Sequence, residues 1–383
     1  MKIGIYGGTF NPVHIGHVRL LQSFSKWLQL DLTIVVPTRI PPHKSSFMLA
    51  DAAKRLEMCH IAFDAPNILV SDIELKRPGK SYSVDTVTQL KQQYPGADFY
   101  FLMGSDMFLS LESWHRYDDL KQMVTFCATA REEDEFGRLR ACSRKLQEGG
   151  AKTCVADFKV TPVSSSQIRE KVLYHEPFEQ LVPEGISSWI SENGLYSFEQ
   201  TVQSFSGVVR AHLEDQRFHH SLCVAEAAAD LARKNNANPY KAYVAGLLHD
   251  VMKQTEEQEQ LQFIKKSGIL FADIEFSSKA LLHAVGGCAF VYENLGLRDR
   301  DLLNAIRYHT TSRPGASLLE DILYVADFIS ADRDYPDVDV IRQKAQADLK
   351  DAKLYGLSYT ISDNVGKQRK IGINTIEAYN SLL

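Results

Sequence analysis

The stretch Lys2-Ile3-Gly4-Ile5-Tyr6-Gly7-Gly8-Thr9-Phe10-Asn11-Pro12-Val13-His14-Ile15-Gly16-His17 decides the fold of the first half of this 383-residue chain. It reads as an apolar strand, a turn of small residues and the start of a helix. Glycines in the turn let backbone N–H groups approach an anion closely, and a helix start adds partial positive charge. His14 and His17 stand three residues apart, so their rings share one face of the first helical turn. The pattern describes a phosphate site at the carboxyl end of a strand. It suits a reaction in which negative charge builds on a phosphoryl group.

Working outward, short apolar runs alternate with helical patterns as far as Tyr196. The runs Ile3–Tyr6, Leu32–Val36, Ile68–Val70, Phe99–Met103, Val124–Thr129 and Cys154–Phe158 predict strands. Gly16–Leu28, Ala52–Phe63, Ser83–Gln93 and Asp134–Glu148 predict helices. Continuous apolar strands between helices predict an α/β doubly wound parallel sheet covered on both faces. Ligands on such a sheet bind at the carboxyl ends of its strands, where the glycine-histidine stretch lies. After Tyr196 the strand signal stops. Helical periodicity covers 202–214, 221–234, 240–252, 256–266, 279–295, 300–309, 318–329 and 338–349, so residues 200–383 predict an all-α domain behind an α/β domain of residues 1–197.

Composition narrows the classes of function. A formal charge of -5 leaves no basic footprint for nucleic acid. No apolar segment approaches the roughly 18 residues of a membrane span, and no secretory leader pattern opens the chain. The six cysteines form no C-x-x-C pair and are expected to be reduced thiols, without a zinc or disulfide framework. The expectation is a cytoplasmic protein acting on small molecules, with a homo-oligomer allowed.

Two motifs tie the first half to a family. His14-Ile15-Gly16-His17 resembles the H-x-G-H signature of the nucleotidylyltransferase superfamily. Val163-Ser164-Ser165-Ser166-Gln167-Ile168-Arg169 is similar to its second element, in which short polar residues cap a helix. Pro41-Pro42-His43-Lys44, Ser81-Tyr82-Ser83-Val84-Asp85-Thr86, Gly104-Ser105-Asp106, Leu111-Glu112-Ser113-Trp114, Leu181-Val182-Pro183 and Asn193-Gly194-Leu195-Tyr196 narrow the resemblance to bacterial nicotinate-nucleotide adenylyltransferases, over residues 1–197. Val163 and Ser166 stand where that family often has Ile and Thr. The resemblance implies transfer of AMP from ATP to nicotinate mononucleotide, giving deamido-NAD and pyrophosphate. It implies that His14, His17 and Arg169 act on the ATP phosphates and that Gly7, Gly8, Thr9, Phe10, Gly104, Asp106, Ser165 and Ile168 complete the ATP site. Lys44, Tyr82, Thr86 and Trp114 would hold the acceptor, and Mg²⁺ would accompany ATP. Trp114 reads equally as a core residue and Lys44 as a solvated lysine. A sister transferase of the pantetheine-phosphate or cytidylyl type is the alternative.

The second half carries His220, His249-Asp250, His283, His309 and Asp327 along an all-α pattern. Imidazoles and carboxylates suit first-row metals such as iron or manganese. The surrounding words resemble the HD-domain phosphohydrolases: Arg217-Phe218-His219-His220-Ser221, Gly246-Leu247-Leu248-His249-Asp250-Val251-Met252-Lys253, Leu281-Leu282-His283-Ala284, Tyr308-His309-Thr310-Thr311-Ser312-Arg313 and Tyr324-Val325-Ala326-Asp327. They are most similar to the YqeK-type branch, over 200–383. Ser312 stands where that branch often has glycine. The resemblance implies symmetrical hydrolysis of diadenosine tetraphosphate to two ADP at a dinuclear site, with iron as the metal. His220, His249, Asp250, His283, His309 and Asp327 would be the ligands, with Asp250 bridging both ions. It selects His220 over its neighbour His219, which residue type alone leaves undecided. Lys253, three residues beyond Asp250, reads as a catalytic phosphate-holding lysine or as a solvated helix-end lysine. Arg217 and Arg313 are weaker phosphate contacts, and His212 lies off-pattern at the surface. The alternatives are another HD phosphohydrolase and a sensor that binds nucleotide without hydrolysing it.

Overall fold

The protein is described by a computed structural model that covers residues 1–39, 47–77, 79–130, 135–158, 161–270 and 279–383, without the side chains of residues 279 and 280. It divides into two compact units. The first comprises Met1–Arg169 and Pro177–Leu195; the second comprises Glu170–Glu176 and Tyr196–Leu383. The second unit thus takes in a short segment that the sequence reading groups with the first half. Tyr174 in that segment is fully buried, and Asn238 donates to its carbonyl at 2.8 Å.

The first unit is built on strands β1 (Lys2–Gly8), β2 (Leu32–Pro37), β3 (Ile68–Val70), β4 (Asp98–Gly104), β5 (Thr125–Thr129) and β6 (Lys152–Ala156). They form one parallel sheet of order β3-β2-β1-β4-β5-β6. The chain runs outward from β1 in one direction and then returns to its other side, so the topological switch lies between β1 and β4. Gly7 and Gly8 close β1, and Gly104 closes β4, at the carboxyl edge where that switch opens a crevice. Helices α1 (Ile15–Leu28), α2 (Ala52–Ala62), α3 (Ser83–Gln93), α4 (Ser105–Leu109), α5 (Tyr117–Leu120), α6 (Glu135–Glu148), α7 (Ser165–Leu173) and α8 (Ile186–Glu192) accompany the sheet. Ile3, Ile5, Ile34, Phe101 and Phe126 from the strands pack with Val84, Val87 and Leu90 of α3 and with Leu139 and Leu146 of α6.

The second unit is helical among the described residues: α9 (Phe198–His212), α10 (Asp215–Lys234), α11 (Pro239–Leu248), α12 (Glu257–Ser267), α13 (Lys279–Phe290), α14 (Arg300–Tyr308), α15 (Leu318–Ile329), α16 (Val338–Ala347), α17 (Leu349–Gly366) and α18 (Ile373–Asn380). Asn238 caps α11, its side chain accepting from the amides of Tyr240 and Lys241 at 3.0 Å, with Pro239 at the first helical position. Gly246 lies where α11 meets α10: a Cβ there would stand 2.6 Å from Ala225 Cα. Only glycine allows that backbone approach.

Three element readings change. The helix expected over 221–234 starts at Asp215, so Arg217 and His220 are helical. The helix expected over 240–252 ends at Leu248, and residues 249–253 form turns closed by the amide of Lys253 on the carbonyl of Asp250 at 2.8 Å. Helices α17 and α18 were not expected at all. The buried face of α17 carries Lys353 and Gly356 beside Leu349, Ala352 and Leu357, which breaks the apolar stripe that periodicity detects. Lys353 is tolerated there because it pairs with Asp321 at 2.5 Å. No helix among the described residues is long and apolar enough to cross a membrane.

Candidate functional sites

In the first unit the two histidines cap their own helix. His14 is the N-cap of α1, and its Nδ1 accepts from the His17 amide at 3.3 Å. His17 Nδ1 accepts in return from the His14 amide at 3.2 Å. This is a capping box made of imidazoles instead of Ser and Glu. The rings stack with centroids 3.6 Å apart. Because both Nδ1 atoms accept, both rings are neutral with the proton on Nε2, and each presents an N–H donor on its far side. Gly16 permits this arrangement: a Cβ there would lie 2.9 Å from His14 Nδ1. The spacing H-x-G-H is therefore a packing requirement as well as a signature.

The second motif arrives on α7. Ser165 Oγ donates to the carbonyl of Pro12 at 2.8 Å, and Arg169 donates to the carbonyl of Asn11 at 2.7 Å. Arg169 also meets Ser166 Oγ at 3.1 Å, and Ser164 Oγ accepts from the Gln167 amide at 3.2 Å as an N-cap bond. The two motifs, separated in sequence by the whole sheet, thus share one corner. Ile168 is fully buried, so its side chain belongs to the core. Phe10 is buried as well, with its ring 5.0 Å from that of His17.

Sequence reasoning missed Arg55, which is 1% exposed. Its guanidinium donates to the carbonyls of Thr9 at 2.8 Å, Thr38 at 2.7 Å, Arg39 at 3.0 Å and Ala50 at 2.9 Å. It ties the loop after β1 to the loop after β2, and no periodicity would mark it, because a lone arginine in a helix normally reads as surface. Asn11 adds a second tie, accepting from the Ala50 amide at 3.0 Å and donating to the carbonyl of Met48 at 2.9 Å.

The expected acceptor residues divide. Lys44 lies outside the described residues. Thr86 is buried at the start of α3, where its hydroxyl donates to Glu74 at 2.7 Å and accepts from Arg77 at 2.5 Å. Its side chain is committed to that network, which leaves the helix start itself for a ligand. Burial raises the Glu74 carboxyl above the usual range, against the pull of Thr86, Ser81 and Arg77. Trp114 is half-buried and meets Phe101 edge-on at 5.7 Å, while Tyr82 faces His115 at 4.2 Å. Gly104 is the N-cap of α4 and Asp106 is exposed in its first turn.

In the second unit the six expected ligands converge from separate helices and turns. Nitrogen and oxygen atoms within 4.8 Å of one another link His220, His249 and Asp250; His249, His309 and Asp327; and Asp250, His283 and His309. Asp250 joins both halves. Its Oδ1 lies 3.0 Å from His283 Nε2 and 3.4 Å from His309 Nε2, and its Oδ2 lies 3.6 Å from His249 Nε2. His249 and His309 place Nδ1 on the carbonyls of Gly246 and Ile306 at 2.6 and 2.7 Å. Their Nδ1–H groups donate, so the Nε2 lone pairs face the cluster. Among the described residues His249 Nε2 is buried with no hydrogen-bond partner, an arrangement that costs free energy until a cation takes the lone pair.

The charge states suit a metal. Burial pushes His249 and His283 down to about 4, so both are neutral near pH 7. Burial alone would raise Asp250, but the surrounding imidazoles of His249, His283 and His309 hold it well below the carboxylate range. Asp327 behaves alike through His220 and Arg333. Lys253 reaches Asp250 Oδ1 at 3.4 Å and His283 Nε2 at 3.0 Å, from a turn and not from the helical face expected. Arg217 approaches Asp250 Oδ2 at 3.8 Å.

Other expectations resolve differently. Arg313 forms a two-pronged pair with Glu320 at 2.7 Å, which commits it to the start of α15. His219 is exposed and meets Cys223 Sγ at 3.5 Å, away from the cluster. His212 is half-buried and not a surface residue: its ring meets Phe290 edge-on at 4.9 Å. Ser312 takes φ +54, the left-handed region in which glycine is at ease. Sequence reading missed Asp332 and Arg333, which touch His220 and Asp327 respectively. None of the six cysteines forms a disulfide.

The comparisons agree with this division. The cytidylyltransferase-like family model matches residues 5–171, and the HD domain model matches residues 217–332. An Exiguobacterium sibiricum protein named "Probable nicotinate-nucleotide adenylyltransferase" is 40% identical over 198 residues, which cover 51% of this chain and 100% of the relative. A Halalkalibacterium halodurans protein named "Bis(5'-nucleosyl)-tetraphosphatase, symmetrical" is 39% identical over 176 residues, 46% of this chain and 94% of the relative. A Mycoplasma genitalium protein named "Probable nicotinate-nucleotide adenylyltransferase/Ap4A hydrolase" is 29% identical over 365 residues, 94% of this chain and 97% of its own length. With a capped histidine pair at a topological switch in one unit and a six-ligand HD cluster in the other, the chain belongs to the nicotinate-nucleotide adenylyltransferases through its first half and to the HD-domain symmetrical bis(5'-nucleosyl)-tetraphosphatases through its second.

Proposed function

We propose that this chain is a bifunctional enzyme, with functional domains at 1–197 and 200–383. The first transfers AMP from ATP to nicotinate mononucleotide. The second hydrolyses diadenosine tetraphosphate symmetrically. The observation that carries the reading is the occurrence of both histidine constellations in one chain whose length a relative named for both activities matches almost throughout.

In the transfer, a phosphate oxygen of the mononucleotide attacks the α-phosphorus of ATP and pyrophosphate leaves. No covalent enzyme intermediate is required, so positioning and charge stabilisation do the work. His14 and His17 offer Nε2–H donors to the phosphoryl oxygens on which charge builds. The α7 start, with Ser165 and Arg169, holds the departing pyrophosphate. Mg²⁺ accompanies the triphosphate, carried mainly by phosphate oxygens and water. The α3 start near Thr86 receives the nicotinate carboxylate, and Trp114 and Tyr82 supply ring faces.

In the second domain, His220, His249, Asp250, His283, His309 and Asp327 would hold two metal ions, and we assign iron because the family resemblance implies it and the nitrogen and oxygen donors accommodate it. Metals in such a site polarise a phosphoryl oxygen and activate water. Lys253 and Arg217 line the approach to Asp250 and would hold substrate phosphates. The substrates and the lack of disulfides among the six cysteines fit a cytoplasmic setting.

The test uses the full chain with both substrate sets. Expected products are deamido-NAD with pyrophosphate in one assay and ADP alone in the other. ATP plus AMP from diadenosine tetraphosphate, or no turnover after metal loading, overturns the second assignment. Failure to use nicotinate mononucleotide while another phosphate acceptor is adenylylated overturns the first.

A further inference from the structure

The two halves of the metal cluster are not braced alike. On the side of His283 and His309, the imidazoles have no anionic partner behind them among the described residues. His309 Nδ1 leans on a backbone carbonyl, and among those residues His283 Nδ1 is buried without a hydrogen-bond partner. A cation, Lys253, stands 3.0 Å from His283 Nε2. On the other side, His220 Nδ1 lies 2.8 Å from Asp332 Oδ2. Asp332 is itself fixed, since its Oδ1 accepts from Ser330 Oγ at 2.7 Å. The next residue, Arg333, secures the second ligand of that half, donating to the carbonyl of Asp327 at 2.8 Å and also to its carboxylate. Arg342 of α16 clamps the whole turn through the carbonyls of Ile329, Ser330 and Arg333 at 3.0–3.2 Å.

A carboxylate behind a ligating imidazole fixes the ring's tautomer and orientation and strengthens its donor nitrogen. Charge favours the same half. Arg333 approaches His220 Nε2 at 3.4 Å, but Asp327 and Asp332 outweigh it there, whereas among the described residues Lys253 is the charge specific to the other half. Even with the partly exposed Arg217 counted against it, the His220 half is the less positive. We infer that Asp332 is a positioning residue that makes the His220–Asp327 half the tighter of two unequal metal positions. The inference rests on the two-metal reading of the second unit and adds to it an order of loading: the braced half fills first, and the half beside Lys253 fills last.

The experiment loads the full chain with Mn²⁺, removes the excess, and titrates it with a chelator while bound metal per chain is counted. The native chain is expected to hold two ions and release them in two steps. Asp332→Ala weakens the tighter step by about 10–100-fold and leaves the weaker step unchanged. Asp332→Asn, which keeps an acceptor for His220 Nδ1 but no charge, falls between. His283→Ala removes the weaker step alone. Retained adenylyl transfer and an unaltered melt of the chelated chain certify that each variant folds. The inference is overturned if the native ions leave in one uniform step, if Asp332→Ala keeps both steps, or if it loses the weaker one. A native chain that retains no Mn²⁺ overturns the metal reading itself, and the inference with it.

Discussion

Both units set histidines at the sites proposed for phosphate chemistry, but they present opposite sides of the imidazole. In the first unit, His14 and His17 accept backbone amides on Nδ1, which puts the ring proton on Nε2 as a donor. In the second, His249 and His309 donate Nδ1–H to backbone carbonyls, which leaves Nε2 lone pairs for a cation. The tautomer follows from where the ring sits on its helix. At a helix start the free backbone groups are N–H donors; in a helix's last turn and beyond they are carbonyls. His14 and His17 occupy the first turn of α1, whereas His249 and His309 are the residues that end α11 and α14. One residue type thus presents a donor N–H or an acceptor lone pair through its position on the helix.

The strongest way to break this contrast is to remove one site and watch the other. Asp250→Ala takes away the ligand that joins both halves of the cluster. Phosphohydrolysis is expected to fall by about 10³-fold or more, the loss of several kcal/mol of metal assistance. Adenylyl transfer should be unchanged, measured as pyrophosphate release. A parallel loss of both activities would show that the sites are not independent.

His17→Ala is the converse, removing one Nε2–H donor and the reciprocal cap. Transfer should fall by about 10²–10³-fold with ADP formation intact. Transfer near the native rate would free His17 of its assigned role.

Gly16→Ala sharpens the tautomer argument, since every functional atom survives. The new Cβ meets the His14 ring at 2.9 Å and forces it to shift. A fall in kcat of about 10–10²-fold is expected from misplacement alone. An unchanged kcat would mean that the stacked pair is not the working geometry.

Arg55→Met gives the smallest effect on chemistry and tests what holds the loop. The carbonyls of Thr9, Thr38, Arg39 and Ala50 would lose their donor. A loss of roughly 3 kcal/mol is expected for several buried acceptors left unpaired, seen as a lower melting temperature of the first unit. A melt within a degree of the native one would contradict this role.

The fold of the first unit was legible because parallel strands buried on both faces read as continuous apolar runs. All six expected strands occur, with ends moved by a residue or two. Helices with a clear stripe, such as α3 and α15, were equally plain. The failures share a cause: tertiary partners overrule the local pattern. A lysine and a glycine on the buried face of α17 are stable only because Asp321 meets the first and neighbouring rings close over the second. Arg55 went unread because three of the four carbonyls that hold it, those of Thr9, Thr38 and Arg39, come from loops away from its own helix. Asp332 and Arg333 carried no spacing signal, since their partners lie on α10 and at the end of α15.

By itself, the sequence determined the two families, the switch from parallel sheet to helices, and the histidines and aspartates expected in both sites. These features are written in contiguous words, because a capped helix start or an HD dipeptide is set by neighbours along the chain. Only the tertiary structure decided which nitrogen each imidazole presents and that Asp332 stands behind His220. Those facts depend on distances of a few ångströms between residues far apart in sequence, and hydrogen bonds and desolvation act over that range and no farther.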